Sequence, residues 1–356
     1  MYLHGHAFQI IELGSLVNQL EPVLRYSEKC NAPMKRDTFV VPVDHYAKLR
    51  FRADNPGVWL LHCHMDVHFG MGMALTFFEA PDVLRQHQKV PDSMLELCRA
   101  QGIRTEGNKA GNAGPDLAGL SPPPTTAFQN GRPSTPTSTP TNQQGLYTRA
   151  TAALLLLIQT QSVLAKRVVV NWDVGYVNVN RDETITRRAI GVNGALPIPP
   201  VFATKGDTLI LNVANSLDET TSVHAHGLFQ NGTSYLDGPA MVNQCGIPPG
   251  ESFSYEYMID QPGTYWLHGH DHHQNSDGFR APLIIYDSHN PFDYDEDILL
   301  SFEDWYKEEF AERAKITLDP SFPFPPPHGY GHALINGYNG NYTKPIYFHP
   351  GKTYRL

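Results

Sequence analysis

The sequence predicts an all-β protein, and three features of its composition support this. Charged residues make up 18% of the 356-residue chain, aromatic residues make up 11%, and glycine and proline number 29 each. Short runs of β-branched and aromatic residues alternate with turn-forming sequences such as Asp54-Asn55-Pro56-Gly57. This pattern is typical of many short strands joined by turns, and it does not suit a helical protein.

The first part of the chain, residues 1–104, is predicted to be one β domain. Alternation and β-branched residues predict strands over 7–13, 38–43, 47–53, 57–62 and 73–79. A short helix is predicted over 91–99 at the end of this domain.

Two unusual segments follow the first domain. Residues 105–148 are rich in glycine, asparagine, serine, threonine and proline and lack an apolar period, so we expect a disordered linker there. Residues 149–165 combine a basic start at Arg149, a short apolar run and small residues, which is typical of a secretory signal peptide and too short for a membrane span. A buried strand or helix is the alternative. An internal signal peptide would mean that the end of one secreted protein is joined to the start of another.

A second β domain is predicted over residues 166–290. Its strands are expected over 167–172, 208–213, 221–226, 252–258, 263–268 and 282–286. A further unit, over residues 291–356, begins after it.

The segment His62-Cys63-His64-Met65-Asp66-Val67-His68 concentrates side chains that bind metals. Because strand side chains alternate, His62 and His64 face one side and Cys63 the other, so one segment can serve two metal centres. On the Cys63 side, a thiolate, the imidazole of His68 and the thioether of Met73 fit the preference of copper for soft, mixed ligands. A zinc hydrolase is the rival interpretation, and the cysteine and methionine argue against it.

Three more histidine pairs have the same spacing. In the second β domain, the two pairs fall on predicted strands, so the histidines of each pair lie on one face of a strand. The pairs are His4 with His6, His224 with His226, and His268 with His270.

Charge and cysteine content exclude other classes. The net charge of -9 gives no reason to expect nucleic acid as a partner. Four cysteines, Cys30, Cys63, Cys98 and Cys245, are too few for a disulfide-based small domain. Sequons at Asn231 and Asn341 allow glycosylation if the chain is secreted.

Taken together, the His-x-His pairs and their flanking motifs resemble the multicopper oxidases, and within them the fungal iron-transport ferroxidases and laccases. The flanking motifs include 229–233, 236–238, 244–250 and 260–266. The resemblance implies cupredoxin-like Greek-key β-sandwich domains, with a trinuclear copper cluster between the first and third. It also implies an inverted order: residues 1–104 resemble the end of the third domain, 166–290 the first, and 291–356 the truncated start of the second.

The resemblance assigns roles to individual residues. The implied type 1 copper ligands are Cys63, His68 and Met73, and His224 would hold the type 2 copper. One type 3 copper would be held by His64, His226 and His268, and the other by His4, His62 and His270. Asp66 and Asp237 would supply protons as general acids. Cys98 and Cys245 would form a disulfide between domains.

Two departures from the family pattern limit the expected copper content. The second type 1 histidine is missing, and Tyr2 stands where the second type 2 histidine belongs. Loss of a hydrogen-bonding partner of a ligand lowers metal affinity or activity about 10- to 100-fold, and loss of a ligand itself should lower it at least as much. His6, His272 and His273 are expected on the surface or as hydrogen-bonding neighbours of ligands.

The resemblance implies an oxidase that takes single electrons from ferrous iron, or secondly from phenols, and reduces dioxygen to water. It also implies secretion or cell-surface location and an iron permease as partner. The alternative is an incomplete, non-catalytic copper-binding fusion of two oxidase fragments.

Overall fold

The computed structural model describes residues 1–17, 24–25, 33–108, 112–114, 116, 118–119, 165–290, 292–317, 331–339 and 345–356. Most of the predicted linker, nearly all of the signal-like segment, Cys30 and the sequon at Asn341 lie outside these residues. Residues 1–106 and 166–356 form one compact unit, and residues 107–165 belong to a second. Within the first unit we call residues 1–106 the N-terminal part and residues 166–356 the C-terminal part.

The N-terminal part consists of seven described strands and three short helices. One sheet has the order β1-β6-β7, and in the other β2 pairs with β3, β4 and β5. The elements are β1 (Tyr2–Leu3), β2 (Phe8–Ser15), β3 (Leu24–Arg25), β4 (Lys35–Arg36), β5 (His45–Phe51), β6 (Gly57–His62), α1 (Asp66–Gly70), β7 (Ala74–Glu79), α2 (Pro81–His87) and α3 (Asp92–Ala100).

The strand predicted over 38–43 is wrong. Only Thr38 pairs there, in an isolated bridge with Tyr2. Pro42 has no N–H to give to a ladder, and Asp44 adopts a left-handed conformation with φ of 59°, so the chain turns before β5 begins. Helix α2, which sequence patterning missed, starts with Pro81 in its first turn, a position that suits proline.

The C-terminal part contains a β-sandwich of two four-stranded sheets. Their orders are β13-β11-β8-β9 and β10-β15-β14-β12, and β8 pairs in parallel with β11. The strands are β8 (Arg167–Val179), β9 (Arg187–Val192), β10 (Val201–Thr204), β11 (Thr208–Asn215), β12 (Val223–His226), β13 (Ser252–Met258), β14 (Gly263–Gly269) and β15 (Arg280–Tyr286). Short 3-10 helices span Ser234–Leu236 and Gln274–Asp277. The predicted all-β class, with cupredoxin-like sandwich architecture, is confirmed.

Alternation along these strands builds the core between the two sheets. Leu209, Leu211 and Val213 of β11 are fully buried, and they face apolar side chains of β14 and β15 such as Leu267 and Leu283. Each fully buried side chain of this size contributes about 1.5–3 kcal/mol. Met94 and Leu97 of α3 join the same core, so the N-terminal part packs directly on the sandwich.

The chain then continues into small elements at the edge of the sandwich. These are β16 (Glu296–Asp297), β17 (Phe302–Trp305), α4 (Phe310–Thr317), β18 (His332–Ile335) and β19 (Tyr354–Arg355). The indole of Trp305 is buried, and Arg187 lies over it at 3.8 Å from its ring centroid. None of the described helices has the length and apolarity that crossing a membrane requires.

Candidate metal centre

Pairing of β1 with β6 places the first histidines of the centre. The antiparallel register sets Tyr2 opposite His62, so the two side chains share a face. His4, two residues after Tyr2, points to that face too, and its N–H donates to the Leu60 carbonyl at 2.9 Å. All three side chains are buried.

Pairing of β12 with β14 places the second set. His224 lies opposite His268, and His226 lies opposite Trp266. Because residues two apart share a face, His270, directly after β14, points the same way as His268.

The two sets meet where the N-terminal part packs on the sandwich. Ligand atoms of His4, His62 and His270 lie within 4.8 Å of one another, and so do those of a second group of three. The second group consists of His64, His226 and His268. We call these six residues together with His224 the histidine cluster.

Each imidazole has one ring nitrogen that faces away from the cluster, which we call the outer nitrogen. Hydrogen bonds from this nitrogen fix the orientation of several of the rings. His62 Nδ1 donates to the Cys63 carbonyl at 3.0 Å, and His268 Nδ1 donates to the Gly269 carbonyl at 2.9 Å. His4 Nδ1 donates to Asp237 Oδ2 at 2.8 Å. A neutral imidazole that donates from Nδ1 keeps a lone pair on Nε2, so these rings direct lone pairs into the cluster.

Several of the inward nitrogens have no partner. Within the described residues, Nε2 of His64, His268 and His270 is buried without a hydrogen bond. His4 Nε2 and His62 Nε2 lie only 3.1 Å apart, although both rings already donate from Nδ1. Two lone pairs at this distance repel each other unless a cation binds beside them.

A proton is a poor candidate for that cation. Burial, reinforced by neighbouring imidazoles, lowers the pKa of His4, His226, His268 and His270 well below the usual histidine value. Burial also lowers the pKa of His62 to about 3. Buried, neutral, convergent imidazoles without partners are the donor set of a metal site, and imidazole suits copper.

Asp237 lies behind the cluster and is fully buried. Its carboxylate accepts from His4, and its backbone carbonyl accepts from His224 Nδ1 at 2.5 Å. Gly238 allows the backbone after Asp237 to lie close to β12. Its φ is 103°, and a Cβ there would lie 2.1 Å from the Val223 carbonyl oxygen.

Asp66 lies at the start of α1, between two cavities. One, of about 130 Å³, is lined by Asp66 and by four cluster histidines, His62, His64, His268 and His270. The other, of about 400 Å³, is lined by Asp66, His64 and His68. Asn275 donates to the Asp66 carboxylate at 3.1 Å, and the Ser276 hydroxyl donates to it as well.

Cys63 faces away from the cluster. Its Sγ lies 3.5 Å from Nδ1 of His68, which α1 turns back toward it. The Cys63 N–H donates to the Met73 carbonyl at 3.0 Å, but the Met73 side chain is 48% exposed. Among the described residues, Cys63 belongs to no group of three potential metal-binding histidine, cysteine or acidic side chains.

Three further histidines that the sequence motifs single out, His6, His272 and His273, lie outside the cluster. His6 is buried, with Nδ1 donating to the His4 carbonyl and Nε2 lying 2.9 Å from Glu79 Oε2. The side chain of His272 is 52% exposed, and Nδ1 of His273 lies 3.7 Å from Asp66 Oδ1.

Sequence reasoning missed some of the side chains around the cluster. For Tyr2 the pattern indicates only a missing histidine, yet its ring stacks on His226 at 3.7 Å between centroids. Trp266 stacks on His268 at 4.1 Å; its period-two spacing from His268 is the signal that could have placed it. Asn275 and Ser276 carry no local signal, because their contact with Asp66 spans more than 200 positions.

Two family models, both described as multicopper oxidase, match the chain over residues 1–83 and 173–290, which together are more than half of it. The chain belongs to the multicopper oxidase family. The resemblance inferred from the motifs is thereby confirmed, and copper is the metal of this family.

Parts of the chain are similar to individual proteins. Iron transport multicopper oxidase fetC of Epichloe festucae is 41% identical over 201 residues, 54% of this chain and 31% of the relative. Laccase-2 of Thanatephorus cucumeris is 42% identical over 169 residues, 44% of this chain and 28% of the relative. The crystal structure of Fet3p, a multicopper oxidase that functions in iron import, has 33% identity and a TM-score of 0.45, covering 48% of this chain and 33% of that one. The chain thus spans about a third of the length of the relatives it matches.

The disulfide implied by the resemblance is formed. Cys98 of α3 is bonded to Cys245, in the loop before β13, across 147 positions. It therefore links the N-terminal part covalently to the sandwich.

Proposed function

We propose that the chain holds a cluster of copper ions and acts as an oxidase that couples one-electron oxidation of a substrate to the reduction of dioxygen to water. The observation that carries the proposal is the convergence of two groups of three histidines, each drawn from both ends of the chain. The unpartnered Nε2 atoms of His64, His268 and His270 support it, because burying them without a metal costs free energy.

The proposed ligands follow the two groups. His64, His226 and His268 would hold one type 3 copper; His4, His62 and His270 would hold the other; and His224 would hold the type 2 copper. Bound copper supplies one-electron redox chemistry and binds dioxygen. The cavity of about 130 Å³ lined by His62 and His270 has room for a few water-sized molecules beside these rings.

Cys63, His68 and Met73 are the proposed type 1 ligands. The Cys63 thiol lies 3.5 Å from His68 Nδ1 on the side away from the cluster. Since Cys63 is bonded to His62 on one side and His64 on the other, an electron arriving at its sulfur has a short covalent path to both groups of three.

We assign the delivery of protons to Asp66 and Asp237. Asp66 lines both cavities and is held by Asn275 and Ser276, so its carboxylate can pass a proton from the larger cavity to the smaller one. Asp237 has a second role besides proton delivery. Its carboxylate accepts the hydrogen bond from His4 Nδ1, which keeps the proton on that nitrogen and leaves the Nε2 lone pair free.

We propose ferrous iron as the substrate, with phenols second. Support comes from relatives named as iron transport multicopper oxidases and as a laccase. An iron permease as partner, secretion or cell-surface location, and glycosylation belong to the same proposal. Asn231, the first residue of one sequon, is exposed.

Copper loading tests the proposal. The full chain, loaded with copper, should show a thiolate-to-copper charge-transfer band and consume dioxygen when ferrous iron is added. His268→Ala should lose copper from the cluster and the oxygen uptake, whereas His289→Ala, at an exposed position, should retain both. Cys63→Ser should lose the band and the electron entry but keep the cluster copper. Equal oxygen uptake by His268→Ala and the parent chain would refute the proposal.

A non-catalytic copper-binding protein is the second candidate. The observation that favours it is the incomplete surroundings of Cys63, which have His68 as the one imidazole at hydrogen-bond distance in the described residues. Copper bound at the cluster without the charge-transfer band and without oxygen uptake would establish this second function.

A further inference from the structure

Tyr2 places a phenol inside the histidine cluster. Its side chain is fully buried, and its ring stacks on His226 with an interplanar angle of 14°. The ring of His4 lies 4.5 Å away on a tilted plane. Strand β1 holds the backbone by pairing with β6, so the ring has a fixed position among the imidazoles.

The hydroxyl of Tyr2 is hydrogen-bonded to the nitrogen of His224 that a metal would need. His224 Nδ1 donates to the Asp237 carbonyl, so the lone pair of this imidazole is on Nε2. Nε2 lies 2.9 Å from the Tyr2 oxygen and accepts its proton, and the Gly227 N–H donates to the same oxygen at 3.1 Å.

A metal on His224 cannot coexist with this hydrogen bond. The ion would take the lone pair that now accepts the phenol proton. The ring cannot move aside without leaving its stack on His226 and its buried position, so the oxygen stays next to the ion. The Tyr2 oxygen and His224 Nε2 lie 2.9 Å apart, so one ion that binds the imidazole nitrogen can also bind the oxygen.

We propose that the phenol oxygen of Tyr2 is a ligand of the copper ion held by His224, which makes this a mixed imidazole and phenolate site. The inference rests on the proposed function, because it deepens the ligand set of one of its copper ions. As the bond from copper to oxygen forms, the O–H bond of Tyr2 breaks and the proton passes to solvent; no electron is transferred. The anionic oxygen offsets one of the two charges of Cu(II).

Resonance Raman and visible absorption test the ligand directly. The full chain carrying Cys63→Ser, which removes the thiolate bands, is loaded with Cu(II). We expect a phenolate-to-copper charge-transfer band and enhanced tyrosinate ring vibrations, and these vibrations should shift when the protein is prepared with ring-deuterated tyrosine. This measurement on the parent ring needs no substitution at Tyr2.

Substitutions give the second measurement. Tyr2→Phe, which removes only the oxygen, should lose the band and vibrations and bind this copper at least about 10-fold more weakly. Tyr2→His should lose the phenolate signals, keep the copper and show additional nitrogen coupling in the electron paramagnetic resonance spectrum. Tyr257→Phe, a buried tyrosine in the sandwich core, is the matched control and should leave the spectra unchanged.

The outcomes separate this inference from the proposed function. Copper bound at His224 with no tyrosinate vibrations, and with the same affinity in Tyr2→Phe, would refute the ligand role of Tyr2 while the copper cluster stands. Copper content that is the same in the parent chain and in His224→Ala would also refute the ligand role of Tyr2, whereas copper content that is the same in the parent chain and in His268→Ala would refute the proposed function.

Discussion

At the scale of single residues, the centre depends on what each imidazole does with its outer nitrogen. His62 and His268 donate from Nδ1 to the carbonyl of the next residue, which their own backbone supplies. His4 depends instead on the carboxylate of Asp237, more than 200 positions away. A single substitution at a distant position, Asp237, is therefore expected to change the orientation of His4.

Asp237→Asn should weaken copper binding about 10- to 100-fold, the usual effect of altering a partner of a metal-binding histidine. An amide oxygen accepts from His4 more weakly than a carboxylate does, because the bond is no longer assisted by charge. Copper titration of the full chain, with circular dichroism to check folding, measures the effect. Asp260→Asn, at an exposed position, should bind like the parent chain. An unchanged affinity in a folded Asp237→Asn variant would show that the carboxylate does not orient His4.

The lowered histidine pKa values make the stability of the metal-free chain depend on pH. Burial holds the pKa of His62 at about 3 in the folded chain, against about 6.5 in the unfolded chain. Between these values the unfolded state binds more protons, so the free energy of unfolding falls as the pH falls. The loss begins below about pH 6.5 and approaches about 1.4 kcal/mol per pH unit for each such histidine.

Urea denaturation of the metal-free chain between about pH 7 and pH 5 measures this slope, which is expected to be steep over that range. His62→Gln should reduce the slope by up to about 1.4 kcal/mol per pH unit. His289→Ala, which alters an exposed residue, should leave it unchanged. A stability that does not vary with pH would mean that the cluster histidines are not buried as neutral rings.

At the scale of elements, strand pairing and one loop build the centre. β1 with β6 and β12 with β14 each present histidines on one face, and the loop that carries Asp237 closes over β12. That loop approaches the Val223 backbone so closely that only a glycine at position 238 fits.

Gly238→Ala should destabilise the chain more than a left-handed conformation alone explains. A residue other than glycine at such a φ costs about 1–3 kcal/mol, and the added Cβ would also meet the Val223 carbonyl at 2.1 Å. Gly250→Ala is the matched control, because its φ is +80° and a Cβ there has nothing within 4 Å. Denaturation measures both variants, and copper titration should show loss of affinity in Gly238→Ala alone. Equal effects of the two substitutions would mean that the close approach has no energetic role.

The sequence predicts those features of these elements that depend on residues close together in the chain. The period of two along 224–226 and 268–270 predicts which side chains share a strand face, and the structure brings them together. The register of β12 on β14, and the approach of Asn275 to Asp66, depend on loops and packing that no local pattern encodes. Strand β9 was not predicted, because it begins with two charged residues, Arg187 and Arg188, that interrupt the apolar pattern typical of a strand. In the structure they pair with Asp277 and Glu309.

At the scale of the whole molecule, the centre exists only where the N-terminal part meets the C-terminal part. Side-chain amides join the two backbones: Asn55 donates to the Phe229 carbonyl at 2.6 Å, and Asn243 donates to the Val58 carbonyl at 2.8 Å. Together with Met94 and Leu97 in the sandwich core, these contacts hold His4, His62 and His64 against the other four cluster histidines.

The Cys98–Cys245 disulfide adds a covalent link to this contact, and its removal separates two contributions. In the chain-entropy account, a bond that closes a loop of 147 residues stabilises the fold by about 5 kcal/mol, and measured values are typically about 2–4 kcal/mol. The variant with Cys98→Ser and Cys245→Ser should therefore lose about 2–5 kcal/mol in urea denaturation. Copper content per folded chain should be unchanged at neutral pH, because the hydrogen bonds of the Asn55 and Asn243 side chains and the apolar contacts of α3 remain. The parent chain under reducing conditions serves as the control and should match the variant. Loss of cluster copper from a variant that is still folded would mean that the disulfide, and not the packing of the two parts, sets the distance between the histidine groups.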